Sequence, residues 1–146
     1  MTGRPVVIEI PGRRFPGKLL NVNSTRGQTR YLAARIVPWR TLGTVIARGS
    51  RLDTIRQPVQ IWAEFRFPDD RRRDTGNLYP TIKALLDGLV DAGVLCGDHD
   101  GLVEGPWLRR IYPNGPLRLR LVLVPVPRSD VGLPFGARAE RKGEIG

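Results

Sequence analysis

The chain has 146 residues, 40% of them hydrophobic, and a formal charge of +10 carried mainly by arginine. That is enough apolar content for one ordinary core and not the composition of a disordered chain, while the guanidinium excess points to a phosphate-bearing partner, nucleic acid first. A single cysteine, Cys96, and a single histidine, His99, exclude a disulfide framework, a His/Cys zinc set and a Cys–His nucleophile pair.

No GxxxxGK[ST] phosphate loop occurs, so no nucleotide cofactor is expected. The N-terminal MTGRPVV lacks the apolar run of a signal peptide, and no stretch reaches the ~18–20 apolar residues of a membrane span. The expectation is a soluble protein of the reducing cytoplasm without a membrane partner.

In chain order, Val6, Ile8 and Ile10 of residues 5–10 share one face and predict a first strand, stopped by Pro11-Gly12. A basic loop follows, with Asn21 and Asn23 as turn residues and Arg13, Arg14, Arg26 and Arg30 nearby. Leu32, Ile36, Trp39, Leu42, Val45 and Ile46 recur at helical spacing over 31–48, with Trp39 read as core. Pro38 should kink or split that helix near Val37, and Gly49-Ser50 should end it. Residues 58–67 alternate, with Val59, Ile61, Ala63, Phe65 and Phe67 to one side and Gln60, Trp62, Glu64 and Arg66 to the other. This is a strand with one face in the core.

That strand leads into Arg71, Arg72, Arg73 and Asp74. Leu78, Ile82, Leu85, Leu86 and Leu89 then predict a second amphipathic helix, with Asn77 as N-cap, Pro80 in the first turn and Gly93 as the C′ residue. Lys83 and Asp87 have i,i+4 spacing for a surface ion pair. Asp74 precedes the helix, and Asp98 and Asp100 follow it. At ~1.5 Å per residue the two ends stand about 20 Å apart. These carboxylates meet only if the chain folds back after Gly93 or if two subunits contribute.

Leu102–Tyr112 and Pro116–Val126 read as strands around Asn114-Gly115, a hairpin signal, and Arg109, Arg110, Arg118 and Arg120 as a basic patch on the exposed face. The expected architecture is one α+β domain over 1–127, with a mixed or antiparallel sheet, two principal helices and a C-terminal hairpin. Residues 128–146 should form a basic, mobile tail.

The run RRRDTGNL, a helical lysine, DGLVDAG and an acidic loop together resemble the signature of RusA-type Holliday-junction endonucleases. Asp74, Asn77, Leu78, Lys83, Asp87 and Asp98 stand on motif positions, Lys83 once Tyr79–Thr81 is counted as an insertion. Asn21 and Asn23 resemble the family's Asn-rich turn after the first strand. Gly76 and Gly97 replace two of the family's carboxylates. The resemblance implies a homodimeric endodeoxyribonuclease that cleaves branched DNA in recombination and repair, in a family common in phages and prophages.

Phosphodiester hydrolysis of this kind uses Mg²⁺, for which Mn²⁺ can substitute, held by one or two carboxylates. Asp74 and Asp98 are the expected metal ligands with Asp100 as auxiliary. Lys83 would stabilise charge at the scissile phosphate, and Arg71, Arg72, Arg73, Asn21 and Asn23 would bind DNA. Two alternatives remain open: a junction-binding protein impaired in catalysis by Gly76 and Gly97, and a general RNA-binding protein, which leaves the carboxylates unexplained.

Overall fold

A computed structural model describes residues 3–23, 29–97, 99 and 101–133, with backbone alone over 29–32. The order is β1 (Val6–Pro11), α1 (Thr29–Gly49), β2 (Val59–Arg66), α2 (Tyr79–Asp91), β3 (Val103–Arg110) and β4 (Arg118–Pro125), with short 3-10 turns at Gly12–Arg14, Thr75–Leu78 and Arg128–Asp130. The expected α+β class holds: one mixed four-stranded sheet and two helices. Among the described residues no helix is long and apolar enough to cross a membrane.

The strands lie in the order β1-β4-β2-β3. β4 is antiparallel to both β1 and β2, while β3 runs parallel to β2 after the α2 crossover. The C-terminal hairpin is therefore a split one. Its arms, β3 and β4, run in opposite directions on either side of β2, and Gly115 N–H donates to the Phe67 carbonyl where the connection passes the end of β2.

One face of the sheet carries Ile8, Ile10, Ile61, Ala63, Phe65, Leu119, Leu121 and Leu123, all buried under the two helices with Trp39, Ile46, Ile82, Leu85 and Leu89. The alternation read from β2 and β4 is this inward set, and Trp39 is core as expected, its indole N–H donating to the Lys18 carbonyl. Val45, placed by spacing on the apolar side of α1, is half exposed instead. α1 also runs unbroken through Pro38. The carbonyl that Pro38 leaves without its helical partner belongs to Ala34, which is exposed, so water can satisfy it.

Both helices end in Schellman turns. After α2, Val94 N–H donates to the Leu89 carbonyl and Gly93 N–H to that of Val90, with Gly93 at φ +79°, as its C′ assignment requires. After α1, Leu52 bonds to Ala47 and Arg51 to Arg48, so the left-handed residue is Arg51 at φ +51° rather than a glycine. The helix itself stops at Gly49, as Gly49-Ser50 predicts, and the left-handed residue follows two positions later.

The other face of the sheet is open. Val7, Val122, Trp62 and Trp107 are paired across all four strands as one transverse row. Two residues along, Glu9, Arg120, Glu64 and Arg109 form the next. Trp107 reaches its row through a bulge in β3: Gln60 pairs with Glu104 but Trp62 with Trp107. Gly105 makes that bulge, at φ +94° and so close to β2 that a Cβ would sit 2.8 Å from the Ile61 carbonyl oxygen.

Residues 134–146 lie outside the described set, as do Arg26 and the side chains of Arg30 and Leu32. The described chain past 127 is the Arg128–Asp130 turn and its continuation to Leu133.

Candidate functional site

The carboxylate singled out by the sequence, Asp74, caps the 3-10 turn that leads into α2. Its Oδ1 accepts the Gly76 N–H at 3.1 Å, and the side chain is otherwise exposed. Asn77, expected as the N-cap of α2, lies inside that turn, and Leu78 stands at the cap position without a side-chain bond. The Asn77 carbonyl instead accepts the Val22 N–H at 2.9 Å. One turn on, the Thr81 hydroxyl accepts from Leu20 N–H at 2.7 Å and bonds the Leu20 carbonyl at 3.0 Å. The Asn21–Asn23 turn, closed by the Asn21 side chain accepting from Asn23 N–H, is thereby fastened beside the head of α2. Two segments more than fifty residues apart in sequence meet at the head of α2.

The three arginines before Asp74 divide in role. Arg73 is largely covered, donates to Asp69 at 2.7 Å and lies 4.2 Å over the Phe67 ring. Arg71 and Arg72 face solvent, Arg71 with 84% of its side chain exposed. Asp69 fixes the loop from both sides: the hydrogen bond from Arg73, then that from the Arg71 backbone, holds its carboxyl down to about 2 against the effect of desolvation.

Arg110, expected on the exposed patch, is not there. It curls from the end of β3 onto the carbonyls of Asp69 and Arg71 and onto the Asn114 side chain, and so braces the arginine loop. Strand parity carried the signal, because Arg110 pairs with inward-facing Phe65 whereas Arg109 pairs with outward Glu64.

Lys83 and Asp87 form the expected i,i+4 pair at 2.9 Å on α2. Asp98 and Asp100 lie outside the described residues. Their described neighbours Gly97 and His99 sit at the far end of α2, where the His99 carbonyl accepts from Leu102 and Val103 at the start of β3. Thr75, next to Asp74, reaches instead the Leu108 carbonyl, five residues on along β3, roughly 16 Å at ~3.3 Å per residue. The chain does not fold back after Gly93 to bring Gly97 or His99 to Asp74. Among the described residues no three His, Cys, Asp or Glu side chains gather as a metal cage.

No family model matches this chain, and a search of curated proteins finds no match. Function must therefore be argued from the geometry.

A second polar constellation was not anticipated. Glu64 is 3% exposed on the open face of the sheet, bonded through Oε2 to Arg109 and through Oε1 to Arg120 at 2.8 Å. It borders a shallow hollow of about 340 Å³ that Val7, Trp62 and Val122 also line. Burial pushes the Glu64 carboxyl up, but the hydrogen bonds from Arg109 and Arg120 outweigh it and the net shift is downward.

A carboxyl lowered in the folded state contributes stability that is complete above its unfolded value and is lost as pH falls through the folded value. Glu64→Gln keeps the volume and removes the charge. It should cost about 2 kcal/mol at pH 7, discounted for the exposure of Arg109. The gap between the two urea midpoints should close in acid, once Glu64 in the parent protein is protonated. A gap unchanged down to pH 3 would mean that the charge contributes nothing.

Proposed function

We propose that the chain is a Mg²⁺-dependent endodeoxyribonuclease selective for branched DNA. The observation supporting it is the convergence at the head of α2, where an exposed carboxylate, the Asn21–Asn23 turn and two solvent-facing arginines share one surface on a chain of charge +10. A bare carboxylate would repel a phosphate backbone. One flanked by guanidinium groups can meet a phosphate across a cation.

Mg²⁺ accepts oxygen ligands, needs few of them from protein and keeps waters, so Asp74, with one oxygen engaged by a single N–H, fits as a first ligand. When bound, the ion would supply an activated water and charge neutralisation. Arg71 and Arg72 hold the backbone on either side of the cut. Lys83, paired with Asp87 one turn further along α2, would supply a positive charge for the developing negative one. Asp98 joins Asp74 only from a second copy, since the described residues beside it lie at the opposite end of α2. In this reading the active unit is a two-fold dimer, which suits a substrate with two strands to cut.

The test is end-labelled four-way junction and linear duplex incubated with purified protein. Nicking of the junction alone, with Mg²⁺ or Mn²⁺ and not with EDTA, is the expected result. Tight junction binding without nicking would favour the catalytically impaired binder that Gly76 and Gly97 suggest. Equal, weak binding to both DNAs would overturn the reading.

A further inference from the structure

The open face of the sheet has an order that the nuclease reading does not use. Its charged row reads Glu9, Arg120, Glu64, Arg109 from β1 to β3, an alternation of minus, plus, minus, plus. The inner members neutralise each other through the Glu64–Arg120 bond. The outer members stay exposed: 60% of the Arg109 side chain and 51% of that of Glu9. Among the described residues Glu9 has only loose partners, Arg120 at 3.7 Å and Arg118 at 3.8 Å. The adjacent row runs from small to large: Val7, half exposed, and Val122, then Trp62 and Trp107 with ring centroids 4.9 Å apart.

We propose that this face docks a second copy of the chain about a two-fold axis running along the strands between β4 and β2. Such an axis reverses each row against itself. Reversal of minus, plus, minus, plus sets Glu9 of one copy opposite Arg109 of the other, at both ends of the row. The same operation sets Val7 opposite Trp107 and Val122 opposite Trp62, small against large, as a close-packed layer needs. A two-fold interface must be self-complementary, and both rows are.

Four strands at ~4.8 Å and up to eight residues at ~3.3 Å give a footprint of at most roughly 500 Å² per copy, about 1,000 Å² in all, the size of a weak specific interface. Glu9, Glu64 and Glu104 offset all but one of the four arginines on this face, Arg66, Arg109, Arg118 and Arg120, so it is far less charged than the chain of +10 as a whole. A nucleic-acid strand fits less well, because Glu9 and Glu64 already answer the arginines. The pairing stands apart from the proposed function: an axis along the strands keeps the head and the tail of α2 at their own heights, so this pairing is not the one that would bring Asp98 to Asp74.

Sedimentation equilibrium tests it. The parent chain should be a dimer. Glu9→Arg sets arginine against arginine at both ends of the row, and Arg109→Glu sets glutamate against glutamate; each should raise the dimer dissociation constant at least tenfold. Mixed one to one, the two variants should recover the dimer as a heterodimer, because every end pair is again opposite in charge. Arg109→Glu also takes a partner from Glu64, so Val7→Glu, at an exposed position with no side-chain bond to lose, is the parallel variant, with melting curves on each. It too should be monomeric.

A monomeric parent, or variants that fold and stay dimeric, would overturn the proposal. So would an oligothymidylate that quenches tryptophan emission of the parent at unchanged mass, the signature of a nucleic-acid face. Loss of junction cutting with the dimer intact would count against the nuclease reading alone.

Discussion

Asp74→Asn should lower junction nicking by two to three orders of magnitude while binding is kept or tightened. The reason is local. Asparagine retains the oxygen that accepts from Gly76 N–H, so the turn into α2 keeps its cap and the fold is undisturbed. Only the charge that would hold Mg²⁺ is removed. Gly76→Asp is the reciprocal change. Gly76 is not in the left-handed region, and a Cβ there would meet only Asp74 Oδ1, at 3.3 Å, so a second carboxylate fits beside the first. It should lower the Mg²⁺ concentration needed for half-maximal cutting. Titrating Mg²⁺ against initial nicking rate on the same junction checks both. Full activity in Asp74→Asn, with no change of metal requirement in Gly76→Asp, would remove Asp74 from the site.

What could be read from the chain alone was whatever depends on near neighbours. The period of two in β2 and β4 named the inward residues because a strand alternates faces regardless of its partners. The spacing of Ile82, Leu85 and Leu89 located α2, and Gly93 located its end, because helix faces and left-handed caps are set within a few residues. Strand order was not legible. Asn114-Gly115 carries a signal for adjacent arms, and nothing local states that β2 lies between them. Glu64 shows the same limit. Its position in the alternation put it on the solvent side, and it is nevertheless buried, because arginines 45 and 56 residues further on close over it. The site divides likewise. Asp74, Lys83 and Asp87 lie within one turn-and-helix unit and were visible, whereas the roles of Arg73 and Arg110 depend on Phe67, Asp69 and the end of β3.

Gly88 belongs to the DGLVDAG run that gave the chain its likeness, yet the role the structure gives it is packing. α1 and α2 cross with their backbones in contact at this point. A Cβ on Gly88 would lie 2.1 Å from the Arg40 carbonyl oxygen and 2.9 Å from the Thr44 nitrogen, and one on Gly43 would lie 2.5 Å from the Leu85 carbonyl oxygen. The crossing is clamped on either side. Thr44 donates its hydroxyl to the Gly88 carbonyl at 3.0 Å, and Arg40 forks onto Asp91 at 2.5 and 2.8 Å.

Helix propensity alone would make Gly88→Ala stabilising by about 1 kcal/mol. The contact reverses that sign, because no flexible side chain is there to yield and the helices must part by more than an ångström. Separation loosens Leu85, Leu89 and Ile46, which line the crevice over Ile8, Ile10 and Leu121. With overpacking and lost core contact together, Gly88→Ala should cost roughly 2–4 kcal/mol in urea denaturation. Gly49→Ala is the control: it lies at the end of α1 with nothing within 4 Å of its Cβ, and it should be neutral or slightly stabilising. A Gly88→Ala protein as stable as its parent would mean that the two helix backbones do not touch.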